Sequence, residues 1–400
     1  MRILHTVEFY HPSVGGAQEV VRQISERLVR RGHDVTVATT WLAERTQSVV
    51  EGVRIAQFPI TGNAARGIQG PTSDYQAFLL SGQFDIMLNY AAQQWATDLV
   101  FPLLGRLPYP TVMAPCGFSG LRQPQYSSYF KQMPAMLAAY DGLIFHSDSY
   151  QDAEFARHSG LRDYHVVPNG ASETEFININ NTFRQRHLIP DSIPLLLTVG
   201  THTGLKGHAL VIEAFRRARI GRAMLVIIGN SPGGSLGCLP NCRMRARYCA
   251  AVSLGRKRVL LLDPPRADVV TAYQAADLFV FGSNVECSPL VLFEAMASQT
   301  PFVTVACGNA EEIVRWGQGG MVVPTYKLRN GRVTAAVATF ARSIEQLVMN
   351  RAECERLSIS GYTTWKEQFT WDTIAMRYEQ IYWKLVSKRD AASKVNGRTE

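Results

Sequence analysis

Several features that mark special classes of protein are missing from this 400-residue chain. No run of about 18 apolar residues offers a membrane-spanning helix. The apolar stretch at the start is short and is interrupted by Glu8 and His11, so we expect no signal peptide. The seven cysteines are scattered and odd in number, which does not indicate a disulfide framework. We therefore expect a globular, cytoplasmic protein.

Three of the cysteines, Cys238, Cys242 and Cys249, lie close together in the sequence. Zinc sites commonly pair cysteines two residues apart or place histidines beyond them. Here that spacing is absent and no histidine follows His208, so we expect neither a structural zinc nor any other bound metal. The role of the three cysteines stays open.

The chain carries a formal net charge of +8, which favours acidic partners in general. No helix-turn-helix, zinc-finger or RNA-binding sheet pattern accompanies the charge, so nucleic acid is not expected. Anionic lipid or a phosphorylated substrate fits better, and solvated helix faces are the simplest alternative.

Apolar runs typical of strands alternate with helical segments along most of the chain, and the pattern restarts after a region of turn residues. Strands separated by helices predict parallel sheets covered on both faces. The fold class is therefore α/β, with two Rossmann-like, doubly wound parallel-sheet domains facing each other across a cleft. The expected divisions are a first domain at 1–180, a second at 181–365, a terminal helix at 366–388 and a polar tail at 389–400.

Two carboxylates eight positions apart, Glu286 and Glu294, lie across the start of a predicted helix. Ser288 is suited to the N-cap and Pro289 to the first helical position, so the amides of Leu290 and Val291 should point out of the helix start. Such an end attracts anions. Amides for phosphate and carboxylates for hydroxyls predict a polyhydroxylated, phosphorylated ligand.

Glycine-containing loops follow the first predicted strand of each domain. The first loop contains Gly15-Gly16, and the second runs from Val199 to Gly207 and carries Lys206. Glycines let the backbone approach a phosphate, and a lysine at a helix start can neutralise it. The first loop lacks the dinucleotide-binding pattern G-x-G-x-x-G. A plain turn and an exposed lysine are the alternatives.

Nearly the whole chain resembles the retaining glycosyltransferases of the GT-B fold, which build bacterial glycans and glycolipids. The motifs that carry the resemblance are Gly15-Gly16, Ser147-Asp148-Ser149, Val167-Pro168-Asn169-Gly170, Val199-Gly200 with Lys206-Gly207, Glu286-x7-Glu294, Gly308-x-x-Glu311-Glu312-Ile313-Val314, Gly319-Gly320 through Pro324, and Phe369-Thr370-Trp371.

The resemblance implies roles for several of these residues. Glu294 would bind the ribose of a nucleotide sugar, Glu286 would contact the transferred sugar, and Glu286 and Lys206 would be the catalytic residues. Lys206, the Gly15-Gly16 loop and the amides of Leu290 and Val291 would bind the diphosphate. Ser288 lies in the same donor site. Family members retain the anomeric configuration, and the chain contains no D-x-D motif, so no metal or other cofactor is expected.

Two positions depart from the family pattern. Thr201 stands where the family usually has an arginine beside the glycine, and His202 or Arg266 could substitute for it. Cys116 stands where many members have a histidine close to the transferred sugar, and His146 is a second candidate there. A satisfied structural histidine is the alternative for His146.

The predicted function is transfer of a hexose-type sugar from a nucleotide diphosphate sugar to a saccharide or lipid-linked acceptor. The acceptor is expected on the first domain, near the loops 60–74 and 118–133, whose basic and aromatic residues could contact an anionic membrane at the inner face of the plasma membrane. The alternatives are a sugar-nucleotide epimerase of the same fold and a degenerate transferase that only binds the sugar nucleotide.

Overall fold

The chain forms two compact α/β units. The structure, a computed structural model, describes residues 1–178, 182–231 and 237–396. The first unit comprises Met1–Asn169 together with the chain from Trp371 onward, and the second comprises Gly170–Thr370. None of the helices in the described ranges combines the length and the apolar character that a membrane crossing requires.

The first unit is built on an eight-stranded sheet in the order β10-β9-β8-β7-β1-β2-β4-β3. Its pairs are parallel except β3 with β4, and β5 and β6 form a separate antiparallel pair. The strands are β1 (Arg2–Thr6), β2 (Asp34–Thr40), β3 (Val49–Val50), β4 (Val53–Phe58), β5 (Thr61–Asn63), β6 (Gly67–Gln69), β7 (Ile86–Tyr90), β8 (Thr111–Ala114), β9 (Gly142–Phe145) and β10 (His165–Val166).

Helices connect these strands, and the last helix of the chain packs against the first. The helices of this unit are α1 (Gly16–Arg30), α2 (Thr72–Ser81), α3 (Trp95–Asp98), α4 (Ser127–Ala138), α5 (Gln151–His158) and α15 (Trp371–Asn396). Arg27 Nε on α1 lies 2.9 Å from Asp372 Oδ1 on α15. The helix continues to Asn396, into the segment 389–400 that was predicted as a polar tail, because the lysine, arginine and alanines there are good helix formers.

The second unit is built on a six-stranded parallel sheet in the order β13-β12-β11-β14-β15-β16, with a small antiparallel pair of β17 and β18. Two parallel-sheet α/β units confirm the predicted fold class. The strands are β11 (Leu195–Val199), β12 (Ala223–Ile228), β13 (Lys257–Leu262), β14 (Leu278–Phe281), β15 (Phe302–Val305), β16 (Gly320–Val323), β17 (Thr325–Lys327) and β18 (Val333–Ala335).

The second sheet is covered on both faces, which explains its nearly continuous apolar strands. Leu195 and Leu197 of β11 belong to one buried cluster, and Leu196 between them belongs to the cluster on the other face. Successive side chains of a strand point to opposite faces, so in a strand buried on both sides nearly every side chain is apolar.

Helices of the second unit follow the predicted alternation with some differences in extent. They are α6 (Glu173–Phe176), α7 (Thr182–Arg186), α8 (His208–Arg217), α9 (Leu239–Val252), α10 (Arg266–Ala275), α11 (Leu290–Ala297), α12 (Ala310–Gly317), α13 (Val337–Met349) and α14 (Arg351–Gln368). Helix α9 begins at Leu239, and Pro240 fits the first turn of a helix.

Candidate functional site

The strand order of the second unit defines where a ligand would bind. Strands β11 and β14 are neighbours, although β12 and β13 lie between them in the chain. The connections that leave β11 and β14 therefore diverge and leave a crevice at the carboxyl ends of these two strands, the place where open parallel sheets bind ligands. The loops at this crevice are residues 200–207 and 282–289.

These two loops bring together Lys206 and Glu286, both predicted as catalytic. Lys206 Nζ lies 2.6 Å from Glu286 Oε1, and Ser283 Oγ donates a hydrogen bond of 2.7 Å to the same oxygen. The side chains are 30% and 15% exposed, so the pair is accessible but largely surrounded by protein. The predicted lysine and carboxylate thus form one charged group at the crevice.

Close backbone contact between the two loops requires glycine at position 207. Gly207 has a φ of +66°, and a Cβ atom there would lie 1.7 Å from the carbonyl oxygen of Gly282. Asn284 N donates to Leu205 O over 2.8 Å, which joins the loops on the other side of Lys206. Any other residue at position 207 would separate the loops and with them Lys206 and Glu286.

The loop after β15 closes the site beside Glu286. Gly308 has a φ of +61°, and a Cβ there would lie 2.4 Å from Cys287 O. Asn309 N donates to the same carbonyl over 2.9 Å. Burial and the charge of Glu286 raise the pKa of the Cys307 thiol, which therefore stays protonated next to the carboxylate.

The start of α11 differs from the prediction by one residue. Pro289 is the N-cap with ψ 111°, so it lies before the helix rather than in its first turn, and no side chain caps the end. Ser288, predicted as the N-cap, is buried one residue earlier. Leu290 and Val291 are the first helical residues, and their N–H groups lie at the open end of the helix, where no helical carbonyl precedes them.

Glu294 takes part in a second charged group, with Arg266. An Nη2 atom of Arg266 lies 2.6 Å from Glu294 Oε1 and 2.7 Å from Glu175 Oε2. The Glu294 side chain is 11% exposed and the Arg266 side chain 44% exposed. Sequence reasoning named Arg266 only as a substitute phosphate ligand and missed Glu175, which lies more than ninety positions before it in the chain.

The two candidates for the missing family arginine both have other contacts. Arg266 is held by the two carboxylates described above. His202 is buried, and its Nδ1 lies 3.2 Å from Nδ1 of His208. Thr201 itself is partly exposed on the loop. Arg266 is thus paired with carboxylates, and His202 faces a second histidine.

Gly15 and Gly16 lie at an equivalent point of the first unit. Strand β1 is flanked by β2 and β7, so the loop after β1 also lies at a divergence of connections. Gly15 is the N-cap of α1, and Gly16 is its first residue, exposed and with open space where a Cβ would project. The loop has the access that close approach of a ligand to the backbone requires.

Cys116 and His146 interact with each other, and His146 is buried whereas Cys116 is partly exposed. His146 is 2% exposed; its Nδ1 is 2.9 Å from Val167 O, and its Nε2 is 2.8 Å from Tyr90 OH. Burial lowers the pKa of His146, but interactions with Cys116, Val167 O and Asp152 raise it overall. Because a carbonyl only accepts, Nδ1 carries a proton. Both ring nitrogens of His146 thus have hydrogen-bond partners, as the structural alternative expects, and its role in the site stays a prediction.

The loops predicted to contact an acceptor are joined through Asp98. Its Oδ2 accepts a 2.8 Å bond from Ala64 N in the first loop, and its Oδ1 a 2.8 Å bond from Tyr129 OH in the second. Burial raises the pKa of Asp98 to about 6. Arg66, Arg122 and Lys131 are exposed as expected, whereas the aromatic residues Tyr126, Tyr129 and Phe130 are buried and belong to the core.

Both halves of the chain match family models of glycosyltransferases. Residues 14–175 match the family model described as Glycosyltransferase Family 4, and residues 179–364 match the model described as Glycosyl transferases group 1. The two matches meet close to the division between the two units.

Individual relatives are distant in sequence. A D-inositol 3-phosphate glycosyltransferase from Corynebacterium aurimucosum is 29% identical over 201 residues, which are 48% of this chain and 44% of that protein. An N-acetyl-alpha-D-glucosaminyl L-malate synthase from Bacillus anthracis is 22% identical over 94% of this chain and 96% of its own length. A protein from Anabaena solved in complex with UDP shares the fold, with a TM-score of 0.75 and 15% identity over 96% of this chain and 100% of that one.

Proposed function

Because the chain belongs to the GT-B-fold glycosyltransferases, we propose that it is a retaining hexosyltransferase that uses a nucleotide diphosphate sugar. The acceptor is a saccharide or a lipid-linked saccharide, in the synthesis of a surface polysaccharide or glycolipid. The relatives named above include a glycosyltransferase acting on an inositol phosphate, which supports a hydroxylated acceptor of this kind.

The observation that carries the proposal is the pair of Lys206 and Glu286, 2.6 Å apart at the crevice of the second sheet. When the bond between sugar and diphosphate breaks, negative charge grows on the diphosphate and positive charge on the sugar ring. A lysine stabilises the first and a carboxylate the second. A donor bound between them would draw the ammonium to its phosphate and leave the carboxylate for the sugar.

Glu294 supports binding of the rest of the donor. A carboxylate accepts hydrogen bonds and donates none, which suits the hydroxyls of a ribose. In the free protein Glu294 contacts Arg266, which it shares with Glu175. The amides of Leu290 and Val291, at the open end of α11, would bind the diphosphate near it.

Catalysis independent of a metal ion is part of the proposal. Lys206 and the helix amides supply the positive charge that the leaving group needs, and the sequence has no D-x-D motif to bring a divalent ion to it. The exposed Arg66, Arg122 and Lys131 of the first unit would contact an anionic acceptor or membrane surface.

Incubation of the purified protein with UDP-, GDP- and dTDP-sugars tests the activity. A transferase without its acceptor should slowly release the nucleoside diphosphate, and addition of Mg²⁺ or Mn²⁺ should not raise the rate. Conversion of the donor to an isomeric sugar would instead identify an epimerase. Retention is tested by NMR of the product, whose anomeric configuration should match that of the donor.

The second candidate function is binding of a nucleotide sugar without turnover, which the loss of the family's arginine favours. Thr201 stands in place of the family's arginine, Nδ1 of His202 is 3.2 Å from that of His208, and Arg266 contacts Glu175 and Glu294. Raised melting temperature with one sugar nucleotide but no release of nucleoside diphosphate from any donor would establish this function in place of the transferase.

A further inference from the structure

Four metal-binding side chains converge in the second unit, two of them on either side of Lys206 in the sequence. They are His202, His208, Cys238 and Cys242, and one ligand atom of each lies within 4.8 Å of all the others. The two histidines are buried, as is Cys242, and Cys238 is partly buried. This group is separate from the pair of Lys206 and Glu286 and has no part in the function proposed above.

Four of the six distances between these atoms match the edges of a tetrahedron around a zinc ion, and the two between Cys242 Sγ and the histidine nitrogens are within 4.8 Å. The two Nδ1 atoms are 3.2 Å apart, Cys238 Sγ is 3.5 and 3.6 Å from them, and the two Sγ atoms are 3.8 Å apart. With Zn–S of about 2.3 Å and Zn–N of about 2.05 Å, a regular tetrahedron has edges of about 3.3 Å for N–N, 3.5 Å for N–S and 3.8 Å for S–S.

The local structure orients the four ligands from three segments of the chain. Cys238 is the N-cap of α9, and Cys242 lies four residues later on the same face of the helix. His208 is the first residue of α8, and His202 lies in the loop before it. Cys238 N donates to His202 O over 2.8 Å, and His202 N donates to Asn230 O over 2.9 Å. Backbone hydrogen bonds thus fix the spacing of the ligand-bearing segments.

Hydrogen bonds among the four groups do not account fully for the arrangement. Nε2 of His208 is buried without a hydrogen-bond partner among the described residues, so the polar contacts of this imidazole are those of Nδ1. That atom faces two sulfurs and a second imidazole nitrogen, the ligand set of structural zinc sites. Coordination would satisfy all four atoms at once.

We propose that this chain binds one structural Zn²⁺ through Nδ1 of His202 and His208 and Sγ of Cys238 and Cys242. Four protein ligands leave no open position for a substrate, so the ion stabilises the fold and takes no part in the reaction. Binding releases the two thiol protons, because thiolates are the ligands. The two histidines flank Lys206 in sequence, so the ion would hold the loop that presents this lysine.

Metal analysis of the full chain tests the site without reference to activity. Protein purified without a metal-affinity column should contain one zinc per chain by mass spectrometry. Cys238→Ser and Cys242→Ser should lower the content more than tenfold. Cys249→Ser is the matched control, since Cys249 is a buried cysteine on the same helix, outside the group, and this variant should keep its zinc.

Cobalt substitution keeps the test valid even if the cysteine variants do not fold. Wild-type protein freed of zinc and titrated with Co²⁺ should develop the visible bands of tetrahedral Co²⁺ with thiolate ligands, reaching a plateau at one equivalent. Wild-type protein without zinc and without these bands would overturn the proposal, as would zinc retained in the folded Cys238→Ser and Cys242→Ser variants. Loss of transferase activity alone bears on Lys206 and the donor site rather than on the metal.

Discussion

Replacing Lys206 by methionine would separate the chemical role of its charge from its role in packing. The lysine stem lies against the backbone of Gly200, where an added Cβ would come within 3.0 Å of Lys206 Cγ. Methionine keeps an unbranched stem in that space and removes only the ammonium. Alanine would leave the space empty as well, so its effect would mix both losses.

The structure predicts a small effect on stability and a large effect on catalysis. With side chains 30% and 15% exposed, the Lys206–Glu286 pair is screened by solvent, and its loss should cost no more than about 1 kcal/mol of unfolding free energy. That corresponds to a fall of about 2–4 °C in melting temperature for a unit of this size. Loss of a preorganised charge donor from the transition state costs about 2.7–4 kcal/mol, or about 100- to 1000-fold in kcat.

The assay is release of nucleoside diphosphate from the preferred donor, measured beside the thermal unfolding of each variant. Lys327→Met is the control, because Lys327 is exposed in the same unit on β17 and its loss changes the net charge equally. A fall in kcat below tenfold for Lys206→Met, with normal folding, would place this lysine outside the phosphate site and refute the reasoning. A large fall for Lys327→Met would attribute the effect to net charge.

Three further predictions concern the carboxylates and the altered family position. Glu294→Gln should weaken nucleotide binding, because an amide group cannot replace a carboxylate that accepts from two hydroxyls, whereas Glu286→Gln should mainly lower kcat. Calorimetry of nucleotide binding and turnover measurements check the contrast. Equal effects of the two variants on the binding constant and on kcat would contradict it. Thr201→Arg should raise kcat/KM by about 10- to 100-fold if the missing cation limits the reaction, and unchanged kinetics would show that the phosphate is already fully neutralised. Asp98 should make stability depend on pH. Its pKa is raised to about 6 in the folded protein, so its contribution is full below about pH 4 and is lost as the pH rises through 6. Relative to Asp98→Asn, the wild type should lose up to about 3 kcal/mol between pH 4 and 7 in denaturant titrations, and a difference independent of pH would contradict the predicted burial of charge.

The parts of the site that sequence reasoning located are those with a local cause. Apolar runs marked the strands, because a parallel sheet buried on both faces leaves no other residue type. Glycines marked the loops at their carboxyl ends, and Gly207 proved to be required by contact with the backbone of Gly282. Because β11 and β14 are neighbours in the sheet, the loops that follow them lie side by side and bring Lys206 and Glu286 together.

What the sequence could not supply are partners that come from distant segments. Glu175 reaches Arg266 only because α6 and α10 lie side by side, and no local pattern encodes this. The histidine and cysteine group was missed for a similar reason. Common zinc motifs have histidines after the cysteines, whereas here His202 and His208 precede Cys238 by thirty or more positions and meet it through the order of the strands.

The charges of the second unit's site explain how two carboxylates can lie in a place proposed to bind diphosphate. Alone, Glu286 and Glu294 would repel the ligand, but each is 2.6 Å from a cation in the free protein. A diphosphate therefore meets the neutral pair of Lys206 and Glu286 and the group of Arg266, Glu294 and Glu175, whose net charge is −1, and must compete with the carboxylates for both cations. Inorganic diphosphate can do so only by leaving the glutamates without partners, at the cost of unpaired, partly buried charge. A nucleotide sugar also has hydroxyls, which can donate hydrogen bonds to the freed carboxylates. The ion pairs therefore favour a ligand that has both a diphosphate and hydroxyl groups.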